Sequence, residues 1–308
     1  MNVSLIILVL VTSTVLFYVT QKVFINRNKF DEINPRSSHS AQATKNGGIV
    51  IFLTLFIFSV FYYLNGDELY NYSLLIPLSI IFVMGIYDDF YNADFKLKFF
   101  LQIIVAKLLI DQGFIIDDFH GILGLHEIPR LVSQIFTVFV FLVIVNAVNF
   151  IDGIDGLAIT EALKVILVLE YISLEATPLY NMGLVIGFSL IPMYYFNFKK
   201  QNKIFLGDAG SLFLGTVIAV YLFHVLGPNY NLRPEFKMNK PLLAITVIIY
   251  PLLDLLRIFI IRIAQKKSPF HPDKNHLHHL LLKKGIPHFW IVTIIQLITL
   301  AVLFLGLI

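Results

Sequence analysis

Cysteine is absent from all 308 residues, which excludes disulfides, thiolate metal sites and a cysteine nucleophile. Charge is scarce as well. Only 14% of the residues are Asp, Glu, Lys or Arg, whereas soluble domains carry roughly 25%. The net charge of +3 is too small to argue for a nucleic-acid partner. The G-x-x-x-x-G-K-[ST] phosphate loop is missing, so any nucleotide must be held by other means. The first apolar stretch, Met1 to Thr20, has neither a basic leader nor a small-residue cleavage site, and it reads as a retained span rather than a signal peptide. What is abundant is apolar surface. With 57% hydrophobic residues the chain has more than a soluble fold of this length can bury, so it reads as a membrane protein.

A spanning helix needs roughly 20 mostly apolar residues. Ten stretches qualify, near 3–22, 47–64, 69–87, 97–115, 131–148, 157–174, 178–196, 209–226, 241–262 and 288–307. The fourth carries Lys98, Lys107 and Asp111, and the sixth Glu161, Lys164 and Glu170, so these two are the weakest. No repeat, low-complexity tract or soluble segment interrupts the pattern. The expected fold is all-α: one polytopic bundle of about ten transmembrane helices over 1–308, with an active site formed by cytoplasmic loops.

The connecting loops are strongly asymmetric. Those at 22–46, 88–98, 149–156, 197–208 and 262–287 hold sixteen lysines and arginines, while the opposite set holds Arg130, Arg233, Lys237 and Lys240. Basic loops stay in the cytoplasm, which places the first set inside and both termini outside. The outer loop 112–130 alternates apolar residues around Gly121 and Gly124 and suggests a small hairpin.

Every unusual polar cluster falls in the cytoplasmic set, and acids at a membrane edge by default signal function. In Gly85-Ile-Tyr-Asp88-Asp89 two adjacent carboxylates close a helix, at the unfavourable end of its dipole. They persist most easily beside a cation, either a metal or Lys96 and Lys98 across the turn. In Asn146-Ala-Val-Asn149-Phe-Ile-Asp152-Gly-Ile-Asp155-Gly156 four oxygen-bearing side chains recur every third residue, and Gly153 and Gly156 permit a break that re-aims them. Such donors suit a metal or a polar ligand, with an interhelical polar network as the bland alternative. Phe205-Leu-Gly207-Asp208-Ala-Gly210-Ser211 opens a helix whose N-terminus favours phosphate; Asp208 there is either a Mg²⁺ ligand or an N-cap. His271-Pro-Asp273-Lys274-Asn-His276-Leu-His278-His279 reads as a cationic cradle for a diphosphate, although His276 and His279, one turn apart, also fit zinc. Asn34-Pro-Arg36-Ser-Ser-His39, followed by Lys45 and Gly47-Gly48, is a polar, basic approach to the second span. Together these point to phosphoryl transfer with a lipid partner. A transporter would place its site near the bilayer midplane, often between repeats, and a scaffold would not need five convergent polar loops.

In order, GIYDDF with KLKFFLQ, NAVNFIDGIDGLA, FLGDAGSLFLG and PLLDLLRIFIIRIAQKKSPFHPDKNHLHHLL resemble the motifs of the polyprenyl-phosphate N-acetylhexosamine-1-phosphate transferases. This group, of glycosyltransferase 4 type, includes the initiating enzyme of enterobacterial common antigen and O-antigen synthesis and the phospho-N-acetylmuramoyl-pentapeptide transferase of peptidoglycan synthesis. NPRSSH and HLHH look like the O-antigen and capsule branch. The resemblance covers about residues 31–284. It implies an enzyme of the bacterial inner membrane that moves an N-acetylhexosamine 1-phosphate, GlcNAc first, from a UDP-sugar to undecaprenyl phosphate and releases UMP. A 6-deoxy or 4-amino sugar, or phospho-MurNAc-pentapeptide, is the runner-up donor. It further implies Mg²⁺, with Mn²⁺ as a substitute, and leaves a homodimer open. By motif position Asp88 would contact or deprotonate the lipid phosphate with Asp89 beside it, and Asp155 joins them as the third catalytic candidate. Asp208 with Asn149 would hold the metal, and Asp152 and Asp155 would serve nucleotide and metal. Phe205 would stack on uracil, and His276, His278 and His279 would face the diphosphate. Arg36, His39, Lys45 and Lys96 complete the expected substrate contacts. Where relatives have a PTPRGGG-like run, this chain reads Gln42-Ala-Thr-Lys45-Asn-Gly-Gly48, with Lys45 in place of the arginine.

Overall fold

A computed structural model describes residues 3–31, 42–266 and 276–307. Twelve α-helices occupy these segments: α1 (Val3–Asn26), α2 (Gly47–Leu64), α3 (Leu75–Tyr91), α4 (Phe95–Asp111), α5 (Arg130–Ile151), α6 (Leu157–Ile172), α7 (Tyr180–Phe198), α8 (Gly207–Leu226), α9 (Lys240–Val247), α10 (Ile249–Ala264), α11 (Leu277–Lys283) and α12 (His288–Leu307). Each of the ten expected stretches lies on a helix or a helix pair. Six helices (α1, α2, α3 with its 3₁₀ lead-in, α5, α8, α12) are long and apolar enough to cross a bilayer, or seven spans if α9 and α10 count as one. Helices α4 and α6, with 17 and 16 residues, are short for a span. In α7 the apolar run is diluted by Asn181, Pro192 and Asn197.

The ninth stretch departs from the single straight span expected over 241–262. It breaks at Ile248, and α9 and α10 meet at 72°. The cause is Pro251, which has no N–H for the carbonyl of Val247 and whose ring would clash with it. Two of the three charges of the sixth stretch, Glu161 and Lys164, are paired inside the bundle. Lys164 Nζ donates to both Glu161 carboxylate oxygens at 2.9 Å, and Gln296 Nε2 on α12 donates to Glu161 Oε2 at 2.9 Å. The loop after α4 forms the anticipated turn, with the Phe119 N–H donating to His126 O and the Ile128 N–H to Asp117 O.

Helix α8 is the hub, buried along almost its whole length. Small residues let its neighbours approach to backbone contact, as is common where helices pack in lipid. A Cβ on Gly48 of α2 would lie 2.2 Å from Gly210 N, and one on Gly85 of α3 would lie 2.4 Å from Ala209 Cα. A two-residue parallel pair joins β1 (Ala43–Thr44) to β2 (Lys203–Ile204), and the Gly47 and Gly48 N–H groups continue it onto Phe205 O and Leu206 O. The chain leading into α2 is thereby laid along the chain leading into α8. The ends of α3 and α5 and the starts of α2 and α8 meet at one end of the bundle.

Candidate active site

At that end the Asp88-Asp89 pair splits. The Asp89 carboxylate accepts the backbone N–H of Asp208 at 3.0 Å and of Ala209 at 3.0 Å, so it sits on the open N-terminus of α8, where a negative charge is favoured. Gly207 adopts a left-handed φ of 74°, and a Cβ there would come within 2.7 Å of Asp89 Oδ2, so glycine is needed twice over. Asp88 turns the other way. Asn92 ends α3 at φ 51°, which brings the Ala93 N–H back to Asp88 Oδ1 at 2.9 Å, and Lys98 forms an ion pair with Oδ2. Of the two expected cations, Lys96 is exposed on the first turn of α4, and Lys98 two residues later is the one at the acid.

The motif that closes α5 and runs into the following loop is distributed rather than convergent. Asn146 exchanges hydrogen bonds with Gln102 on α4. Asn149 Nδ2 donates to Asp208 Oδ1 at 2.6 Å and to Ser211 Oγ at 2.8 Å, so the amide orients the aspartate. Asp155 is turned to Lys203, with which it forms an ion pair, and to His288 Nδ1 at 3.1 Å. Burial pushes the Asp155 carboxyl up, but the hydrogen bonds from His288 and Lys203 outweigh it and leave it below the usual carboxylate range. Asp152 behaves oppositely. Burial, then the charges of Asp208, Asp89 and Asp155, raise its carboxyl well above the ordinary value, although its surface is only half-buried. Lys45 reaches this region as well: it pairs with Asp31 at 2.8 Å and feels Asp89 and Asp208. Against the cost of its burial, these carboxylates raise its ammonium pKa. Asp88, Asp89 and Asp152 all feel the Asp208 charge, which makes this a shared acidic pool. Among the described residues no three carboxylate or imidazole groups converge as a closed metal cage would require.

Asp88 also lines a cavity of about 360 Å³ between α4, α5, α8 and α10. Its walls are mostly apolar, among them Phe99, Phe139, Leu142 and Leu255, with Lys98, Gln102 and Asn146 near the acid. A second apolar cavity of about 330 Å³ shares Phe139 and Val143 with it. The histidines lie beside the α5–α6 loop. The His276 ring is 5.8 Å from that of Phe150, which lines the first cavity. His278 and His279 cover Gly153, where a Cβ would meet their Nε2 atoms at 3.2 and 3.3 Å. Burial pushes the His278 imidazole down to about 3, so it is neutral. Phe205 is half-buried between β2 and α8. Arg36, His39, His271, Asp273 and Lys274 lie outside the described residues. Sequence reasoning passed over Asp254 on α10, whose carboxylate meets His276 Nδ1 at 2.7 Å, and Lys203 and His288 around Asp155. The signal for Asp254 was present, as a lone acid in an apolar helix.

This arrangement can be set against known proteins. The sequence profile of glycosyl transferase family 4 matches residues 71–225. An undecaprenyl-phosphate alpha-N-acetylglucosaminyl 1-phosphate transferase of Haemophilus influenzae is 31% identical over 292 residues, covering 90% of this chain and 79% of that protein. The chain belongs to glycosyl transferase family 4. A probable undecaprenyl-phosphate N-acetylglucosaminyl 1-phosphate transferase of Bacillus subtilis is 30% identical over 94% of this chain and 79% of its own. A decaprenyl-phosphate N-acetylglucosaminephosphotransferase of Mycobacterium leprae is 28% identical over 94% and 79%. The matched region of this family 4 chain runs from the foot of α3 to the end of α8, and so contains Asp88, Asp89, Asn149, Asp152, Asp155 and Asp208.

Proposed function

We propose that this chain transfers GlcNAc 1-phosphate from UDP-GlcNAc to undecaprenyl phosphate with release of UMP, at the cytoplasmic face of the bacterial inner membrane, where it begins a lipid-linked glycan. The observation that carries this reading is the position of Asp88, at the junction of an apolar groove and a polar, acidic helix-terminal site. An isoprenoid chain fits the groove and leaves its phosphate beside Lys98 and Asp88. A phosphate oxygen of the lipid attacks the β-phosphorus of the sugar nucleotide; the bond from that phosphorus to the bridging oxygen breaks, and the oxygen leaves with UMP. Asp88 accepts the proton of a monoprotonated lipid phosphate. Asn149 holds Asp208 in place, Lys45 offsets phosphate charge, the histidines face the diphosphate, and Phe205 is offered to the uracil.

The donor set fits Mg²⁺. The pool supplies only hard oxygen donors, and Asp208 together with diphosphate and water meets the ion's preference for one or two carboxylates. The mutual repulsion that raises Asp152 is what a divalent cation would relieve. When bound, Mg²⁺ neutralises charge on the transferring group. The span count that suits this reading is about ten, with α4, α6 and α7 as short spans inside the bundle. The sixteen-to-four loop asymmetry supports the inward-facing site. Purified protein incubated with undecaprenyl phosphate and a panel of UDP-sugars tests the assignment. UMP release with UDP-GlcNAc is expected, and UMP released only with another UDP-sugar, or none with any, overturns it.

A further inference from the structure

Helix α10 carries Tyr250 and Asp254 four residues apart, hence on one face, and that face meets the start of α11. Asp254 Oδ2 lies 2.7 Å from His276 Nδ1, and Oδ1 accepts the Leu277 N–H at 2.8 Å. Both side chains are buried, at 1% and 7% exposure, so water does not compete for the bond. An ionised carboxylate only accepts, so Nδ1 carries a proton, and toward an anionic ligand Nε2 must carry one too. One turn earlier the Tyr250 hydroxyl is 3.2 Å from His278 Nδ1. The Nε2 of His278 is buried without a partner and lies over Gly153 of the α5–α6 loop. The two imidazoles are stacked, 5.3 Å apart and 12° from parallel, so turning one disturbs the other.

We propose that Asp254 is a positioning residue that fixes the orientation of His276 and holds a proton on its Nδ1, so that the ring turns an Nε2–H donor toward the diphosphate, while Tyr250 holds the stacked His278 in place. The proposal rests on the reading above that these histidines face the diphosphate. The logic is that of an outer partner holding a working imidazole, whose loss typically costs about 10- to 100-fold in metal-binding histidines. Asp254 is engaged at both oxygens and buried, so it acts through the ring rather than on substrate.

Two measurements test this. In a double-mutant cycle with UDP-GlcNAc and undecaprenyl phosphate, Asp254→Asn is expected to lower kcat/KM for the UDP-sugar by about 10- to 100-fold. It should leave the KM for the lipid unchanged. Added to His276→Ala, Asp254→Asn should cost less than a further twofold, and Tyr250→Phe, which keeps the packing, should give a milder loss of the same kind. Losses that multiply in the double variant mean that Asp254 acts independently of His276 and overturn the proposal. The second measurement needs no turnover: long-range ¹H–¹⁵N spectra of imidazole-labelled wild-type protein report which ring nitrogen is protonated. Nδ1–H at His276, lost in Asp254→Asn, is expected; an unprotonated Nδ1 in the wild type refutes the proposal even if Asp254→Asn does not fold. If the Nδ1 proton is as expected but no UDP-sugar is turned over, the assignment of substrate fails, and with it the diphosphate, while the positioning of the rings stands.

Discussion

Gly85→Ala adds one methyl group where α3 crosses α8, and the structure sets its consequence. The new Cβ would lie 2.4 Å from Ala209 Cα, 2.6 Å from Ala209 N and 2.7 Å from Asp208 O, all backbone atoms that no rotamer change can remove. Carbon atoms rest at roughly 3.5 Å or more, so the two helices must part by on the order of 1 Å. Overpacking of this kind costs about 1–3 kcal/mol. The larger effect is on geometry, because Asp208 is attached to the very backbone that moves, and Asp88 and Asp89 lie one turn beyond Gly85. A misplacement of about 1 Å in a reacting constellation costs roughly 100-fold in rate. Gly85→Ala is therefore expected to remain folded, with a lowered Tm, and to release UMP about 100-fold more slowly than wild type at saturating substrates. Differential scanning fluorimetry in detergent and a coupled UMP assay measure the two quantities. A variant that keeps more than half the wild-type rate with an unchanged Tm shows that the α3–α8 contact does not set the site.

Three further outcomes follow from the same geometry. Lys98→Met, which removes the cation paired with Asp88, is expected to raise the KM for the polyprenyl phosphate at least 10-fold while leaving that for the UDP-sugar within twofold, about 1.4 kcal/mol of selective loss by steady-state kinetics; equal changes in both refute the lipid-side placement. Asp152 has a raised carboxyl pKa, so its stabilising contribution is present in full below the ordinary carboxylate value and is lost as pH rises through the raised folded value; Mg²⁺ should accordingly raise Tm more at about pH 8 than at about pH 5, because metal and protons compete for the acids, and equal shifts at both would place the metal elsewhere. Since the chain has no cysteine, single cysteines report topology cleanly: one at Lys200 should react with an impermeant maleimide only after cells are opened, and one at Asn229 in spheroplasts, with the reverse pattern overturning the cytoplasmic site.

Much of this was legible in the sequence because periodicity and apolarity alone determine where helices form in a chain of this composition. All ten stretches are helical, and the acids flagged at 88–89, 152 and 208 share one end of the bundle. What the sequence did not disclose is which partner each polar group takes. The every-third-residue pattern from Asn146 to Asp155 suggested four donors around one turn, yet Asn146 faces Gln102 and Asp155 faces Lys203 and His288. Those partners lie 44, 48 and 133 residues away along the chain, beyond any local rule. Lys96 and Lys98 were indistinguishable by spacing; the left-handed Asn92 sets the angle at which α4 starts and brings Lys98 to Asp88. The bend at Ile248 was readable from Pro251, since a proline in an apolar run interrupts the helix before it. Asp254 was hidden only because it lay inside a stretch already read as a span.

The split between Asp88 and Asp89 bears on mechanism. Neighbouring residues on a helix point about 100° apart, so an aspartate pair on one helix does not grip one ion from one side. Here Asp89 is committed to two backbone N–H groups of α8, and Asp88 faces the groove with Lys98. A carboxylate with both oxygens so engaged is poorly placed as a nucleophile, which argues against a covalent sugar-phosphate on Asp89. Direct attack by the lipid phosphate needs no such intermediate, because its second pKa of about 6 already makes it nucleophilic near neutral pH. Asp88→Asn should therefore slow turnover by about 10²- to 10⁴-fold, as loss of a general base does. Its rate should recover as rising pH ionises the lipid phosphate, with little change in Tm. Asp89→Ala should instead lower Tm, since two buried N–H groups lose their acceptor at a cost of about 1–3 kcal/mol each. Neither variant nor the wild type should release UMP from UDP-GlcNAc before lipid phosphate is added. A stoichiometric burst of UMP from wild-type enzyme alone would establish a covalent step, and its loss in Asp89→Ala at unchanged Tm would assign that step to Asp89.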